Sequence, residues 1–280
     1  MAATQNLKKK LKSIQATQKL TRAMKNAAAA KFSQLNGIYR SYAVFAGAFD
    51  ELRREYGPEL HAFFARQAPE APVGVVVLSS NRGMCGGFNA ELLSFAGEYL
   101  RSLDRPFRLA VCGAQGILYC AEEGLKPEKT FLFSDVPTYT ETDVLFSYVM
   151  EEVREQRVSE VKIIYPEYIN MMTHTPVVTD LFGEDETPEA RRHRQNALWV
   201  PDRETVLLQI ASRWFCSILY EKALKTALGA QAATLLSMRS AYDTAAEYCN
   251  TLTAEINRRR QGAVTADVLE TSGEREKKEG

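Results

Sequence analysis

Apolar residues recur at alternating steps of four and three along both ends of the chain, while the middle breaks into short apolar runs separated by turn residues. From Leu7 the count passes Leu11, Ile14, Gln18, Thr21, Lys25, Ala28, Phe32, Leu35, Tyr39, Tyr42, Ala46 and Phe49. The stripe is apolar except at Gln18, Thr21 and Lys25, where it is expected to shift onto Leu20, Met24 and Ala27. From Leu224 a second count passes Leu228, Gln231, Leu235, Met238, Tyr242, Ala245, Cys249, Leu252 and Ile256. Val206, Leu207, Ile210, Trp214 and Ile218 carry it back toward Asp202, a residue suited to cap a helix after Pro201. Sustained heptad-like seams belong to helices that wind around a partner helix.

Proline clashes in a helix interior and lacks a donor. All ten prolines fall between Pro58 and Pro201, so 1–57 and 202–270 are each free to be one helix. At a rise of about 1.5 Å per residue these would be about 75–80 Å and about 100 Å long. Neither suits a helix that merely covers a compact domain. The economical arrangement is an antiparallel two-helix coiled coil, with the intervening domain turning the chain round.

That domain, 72–195, alternates strand and helix patterns. Strands are expected at 73–78, 107–111, 130–133 and 161–165, and helices at 89–103, 114–123 and 141–156. The alternation predicts a mostly parallel, Rossmann-like α/β sheet. A stretch around Pro176 suits an edge strand, where a missing donor is tolerated. Residues 183–196 are expected to form an exposed loop and the charged tail 271–280 to be poorly ordered.

Composition adds little to this picture, but charge adds more. The chain is 45% apolar with zero formal net charge, and neither a signal peptide nor a membrane span is expected. Five scattered cysteines without C-x-x-C spacing suggest reduced thiols and no zinc site. Residues 1–49 hold nine Lys and Arg and not one Asp or Glu, which marks either a solvated face or a surface for an acidic partner.

Candidate chemistry concentrates in SSNRGMCGGFN, Ser79 to Asn89, where the first strand meets a glycine turn. It lacks the lysine of a phosphate loop, and its glycines have the wrong spacing for a dinucleotide fingerprint. Gly83-Met84-Cys85-Gly86-Gly87 does fit a nucleophile elbow with Cys85 as nucleophile. The base would be His174 or His193, oriented by Asp143 or Asp180, which would make the chain an α/β hydrolase. The competing reading is structural: Gly83, Gly86 and Gly87 supply positive φ and let a helix dock closely.

Three segments together resemble one family. LKSIQATQKLTRAMKNAAAAK, SSNRGMCGGFN and the stretch from Glu221 to Glu270, with its N-R-x-R-Q-x-x-[IV]-T pattern at Asn257, Arg258, Arg260, Gln261, Val264 and Thr265, are similar to the γ chain of F-type ATP synthases. The resemblance implies a non-catalytic rotary shaft, without nucleotide, metal or other cofactor. It would turn inside a hexamer of α and β subunits, with its foot on the ε subunit and the c-subunit ring. It would lie peripherally on the cytoplasmic face of the membrane and bind no nucleic acid. By position, Met24, Lys25, Cys85, Arg260 and Gln261 would be contacts to partner subunits. The chain departs from the family at Asn81, where aspartate is usual, at Asn26, across Ala230–Leu235, and in its charged tail.

Overall fold

The computed structural model describes residues 2–62, 70–182 and 200–279. In chain order the elements are α1 (Ala2–Ala62), β1 (Val73–Leu78), α2 (Phe88–Ser102), β2 (Phe107–Cys112), α3 (Ala114–Glu122), β3 (Lys129–Phe131), α4 (Tyr139–Arg154), β4 (Glu160–Asn170), β5 (Thr173–Asp180) and α5 (Arg203–Glu279). They form two units, one of Met1–Ala27 with Leu235–Gly280 and one of Ala28–Thr234. The cut falls within both long helices.

The larger unit is built on a five-stranded sheet ordered β3-β2-β1-β4-β5, parallel except for β5. β1 lies in its centre and every one of its residues is buried, which is why it reads as an unbroken β-branched run rather than an alternation. Its odd residues Val73, Val75 and Val77 pack with Leu92, Ala96 and Leu100 of α2 and Cys120 of α3. Val76 and Leu78 face the other way, toward Leu145 and Val149 of α4 and Leu207, Phe215 and Leu219 of α5. Pro176 sits on β5, the edge strand, opposite Pro166 of β4, beyond the stretch where β4 pairs with β1. α4 begins two residues earlier than the pattern suggests because Thr138 and Glu141 form a reciprocal capping box.

The start of α5 thus belongs to the core of this unit, and α1 joins it there. Leu35 and Tyr42 pack with Tyr220, Leu224 and Leu228. The Tyr42 hydroxyl donates to the Ser217 carbonyl at 2.7 Å, and its ring meets Tyr220 edge-on at 5.1 Å. Burial from water, only partly offset by the Ser217 hydroxyl, pushes the Tyr42 phenol up to about 12.

The smaller unit corrects the expected shift of the stripe. Leu20 is 59% exposed, Ala27 is exposed, and Thr21 is buried, so the seam keeps its four-three count straight through the polar positions. Sliding it by one residue would rotate the contact face by about 100° and expose the flanking apolar turns. The polar residues instead satisfy themselves locally. The Thr21 hydroxyl donates to the Gln18 carbonyl at 3.0 Å, and the Lys25 ammonium lies 5.2 Å from the centre of the Tyr242 ring. On α5, Met238 and Ala245 are buried at their expected seam positions.

Both helices outrun the expected ends. α1 continues past Pro58, which near the end of a helix forfeits a single donor. The backbone of α5 is helical to Glu279, so the tail 271–279 is not irregular. Its glutamates, lysines and arginine are good helix formers, and no proline interrupts them. The expected loop 183–196 lies outside the described residues.

Candidate functional site

The turn after β1 is organised around one buried amide. Asn89 Oδ1 accepts from the Ser80 backbone N–H at 3.3 Å and from its hydroxyl at 3.0 Å, while Nδ2 donates to the Arg82 carbonyl at 3.2 Å. Nδ2 also lies 3.0 Å from Cys85 Sγ. With both ends of the turn tied to the first turn of α2, Met84 and Gly86 adopt φ of 62° and 61°. Only one of the three glycines expected to need positive φ has it. The other left-handed residue is Met84, whose side chain is 64% exposed.

Close docking is real, but a different glycine allows it. Cys85, Phe88 and Ala230 form a small buried cluster, and Phe88 Cε2 lies 2.7 Å from where a Cβ on Gly229 of α5 would stand. The Phe88 ring therefore rests on bare helix backbone. A glycine in the interior of a heptad helix was the available signal, and Asn89, Phe88 and Gly229 are the residues that motif reasoning passed over.

Cys85 is an anchor and not a nucleophile. It is 3% exposed, burial pushes its thiol up, and its Sγ donates to the Arg82 carbonyl at 3.7 Å. None of the residues proposed to activate it is arranged to do so. His174 packs its ring on Phe88 at 4.9 Å. Asp143 faces Cys216, and Asp180 binds Lys162 at 2.8 Å and the Phe182 N–H at 3.0 Å. His193 lies outside the described residues. We expect Cys85→Ala to lower stability by about 1–2 kcal/mol through the lost sulfur packing, measured by urea unfolding, and to leave the function of the assembled protein intact.

At the carboxyl ends of β1, β2 and β3, where open α/β sheets bind ligands, the described residues leave a cavity of about 40 Å³. Ser80, Asn81, Asp135 and Gln231 are among its lining. It has room for a water or two, against several hundred Å³ for a nucleotide-sized ligand. Asn81 accepts from the Ala114 N–H at 3.2 Å and donates to the Phe133 carbonyl. Aspartate, the residue usual in the family it resembles, could make the first bond but not the second. Beside it Asp135 pairs with Lys31 of α1 and, at 3.0 Å, with Arg82. Among the described residues no group of three His, Cys, Asp or Glu is placed to hold a metal, and no helix is long and apolar enough to cross a membrane.

The remaining expected contact residues lie on the long helices of the smaller unit. Met24 and Lys25 are half-buried, the latter on Tyr242. Arg260 and Gln261 are exposed, beside a cluster in which Glu255 pairs with Arg258 and Arg259 at 3.4 and 2.6 Å. Cys85 belongs to the larger unit and the other four residues to the smaller.

Comparison with known proteins bears on the family and the fold. The ATP synthase family matches residues 3–273. The ATP synthase gamma chain of Psychrobacter cryohalolentis is 26% identical over 98% of both chains, and that of Moorella thermoacetica 29% identical over 96% of this chain and 97% of its own. In fold, a chain of the Euglena gracilis mitochondrial ATP synthase, solved as OSCP/F1/c-ring in rotational state 3, superposes with a TM-score of 0.65 at 16% identity, covering 97% of this chain and 93% of that one. A chain of the Tetrahymena thermophila mitochondrial ATP synthase central stalk and c-ring gives 0.62 at 18% identity, covering 79% and 99%. With two long helices on a heptad seam, a five-stranded sheet between them in the sequence, and a family match along nearly its whole length, this chain belongs to the ATP synthase family, among the gamma chains.

Proposed function

We propose that the chain is the central rotary shaft of an F-type ATP synthase, coupling ion flow through the membrane sector to ATP synthesis or hydrolysis at the catalytic β subunits. The observation that carries this is the seam. Helices of 61 and 77 residues far exceed the 11–12 residues typical of a helix in a globular domain, and the seam keeps its register where the sequence turns polar. Such a pair is stiff against twisting, which a driven shaft requires.

A shaft that turns within a sleeve also needs contacts it can exchange. The acid-free stretch 1–49 supplies them, because exposed Lys and Arg attract acidic loops modestly and reversibly. Met24 and Lys25 would meet such a loop on β, and Arg260 and Gln261 would engage β elsewhere along the shaft. In the turn after β1 the side chains of Met84 and Arg82 are exposed, so contact there with ε or the c-ring would use them, with Cys85 holding the turn beneath. The chain performs no bond chemistry itself and sits peripherally at the cytoplasmic face of the membrane.

Co-expression with α and β subunits of one synthase should yield an ATP-hydrolysing complex. A disulfide from Gln261→Cys to one β subunit should then abolish at least about nine-tenths of that hydrolysis and release it on reduction. An active complex whose rate ignores the cross-link would reject rotation, and failure to form any active complex would reject the assignment as a synthase subunit.

A further inference from the structure

The proposed function makes no use of His174, and its surroundings are unusual. Its Nε2 is buried without a hydrogen-bond partner, although a carboxylate waits just out of reach: Glu91 Oε2 is 3.8 Å away. The two groups stand on different elements. His174 is the second residue of β5, the edge strand, and Glu91 is in the first turn of α2. Beside them lies Phe88, whose ring meets the imidazole at a tilt, 4.9 Å between centres, and is seated on Gly229 of α5. Gly87 completes the arrangement, because the Glu91 carboxylate comes within 2.6 Å of where a Cβ there would stand.

We propose that His174 and Glu91 form a proton-operated strap across this seat. Neutral imidazole has no reason to close the last ångström, and its buried nitrogen stays unpaired. An imidazolium has both a proton to donate and a charge to pair. Closing onto Glu91 satisfies the orphan nitrogen and ties the open end of the edge strand to the first turn of α2, clamping Phe88 against α5.

The charges facing His174 permit this. Glu91 is the carboxylate that approaches it from α2, Tyr168 stands directly across on β4, and the part of α5 that meets Phe88, Gly229 and Ala230, is uncharged. Asp180, at the far end of β5, is paired with Lys162 opposite it on β4. The positive end of the α2 dipole opposes an imidazolium, but Glu91 carries a full charge against about half of one. An imidazole gains its charge on acidification, so the strap tightens as pH falls and slackens as pH rises.

The test is hydrogen exchange of the backbone amides of residues 173–177 in the full chain, at pH 5.5 and pH 8, corrected for the intrinsic rate of exchange. A half-exposed ion pair should raise protection about two- to five-fold at the lower pH. The rise should vanish in Glu91→Gln, whose side chain is 61% exposed and not needed for folding, and in His174→Gln, and 1 M salt should flatten it. Protection that does not change with pH in the native chain, or a rise that survives Glu91→Gln, would overturn the strap.

Discussion

Phe88→Ala should lower the stability of the chain by about 3–5 kcal/mol, and the pattern of a second substitution will show why. Phe88 is 1% exposed and fills the space between the turn after β1 and α5. Gly229 exists in its present form because of that ring. In an ordinary helix interior, Gly→Ala gains about 1 kcal/mol from propensity. Here the new methyl would stand 2.7 Å from Cε2 of a ring that is itself walled in by His174, and overpacking of this kind costs about 1–3 kcal/mol. Gly229→Ala alone should therefore be net destabilising, by up to about 2 kcal/mol. In the Phe88→Ala background the clash is gone, and the same change should become stabilising by up to about 1 kcal/mol. Urea unfolding of the four proteins measures the cycle. Gly229→Ala stabilising the native chain as much as the truncated one would show that Phe88 does not set the approach of α5.

That contact also marks where the sequence stopped being legible. The seam could be counted from Leu7 to Ile256 because helix periodicity repeats, and buried Leu35, Tyr42, Leu228 and Met238 all fall on the count. The strand–helix alternation located β1 to β4, and the stretch around Pro176 marked β5 as the edge strand. Where the stripe turned polar, hydrophobicity alone pointed to Leu20 and Ala27. It missed that Thr21 can bond to its own helix and that Lys25 can lie over an aromatic ring, both of which let a polar residue stay in the seam. The elbow at Cys85 misled for a related reason. A pattern of glycines fixes a turn but not which side chain points outward, and the positive φ at Met84 turns that residue to solvent and the cysteine inward. Asn89 and Gly229 act across distances of several to many residues, and no local pattern announces such partners.

The second large effect concerns how α5 is held to the sheet. Lys225 is 12% exposed, with its ammonium 2.5 Å from Glu167 of β4 and 2.9 Å from Glu221 one turn back. The Tyr165 hydroxyl donates to the other oxygen of Glu167 at 2.6 Å. Burial would push the Glu167 carboxyl up, but hydrogen bonds from Lys225 and Tyr165 outweigh it and hold the group below its ordinary range. Burial likewise pulls Lys225 down, and Glu167 and Glu221 together hold it above the ordinary lysine range. Lys225→Met keeps the length of the side chain and takes from two part-buried carboxylates the ammonium that bonds them, with only the weaker attraction of Lys222 left on Glu167, so we expect a loss of about 3 kcal/mol at pH 7. The sign of the pH dependence follows from Glu167. Its depressed carboxyl contributes stability that is present above the usual carboxylate range, near about pH 4.3, and is lost as pH falls through the folded value. The variant has little of that contribution to lose, so the gap between it and the native chain should narrow steadily below about pH 4.3. The Lys225 contribution is full at these pH values and fades only as pH rises through its folded value. Adding Glu167→Gln to Lys225→Met removes the stranded charge and leaves an amide oxygen for Tyr165, and it should recover at least about half of the loss, because replacing both members of a buried pair costs far less than removing one. A double variant as unstable as the single one would mean that α5 is held to β4 by packing around Lys225 and not by its charge.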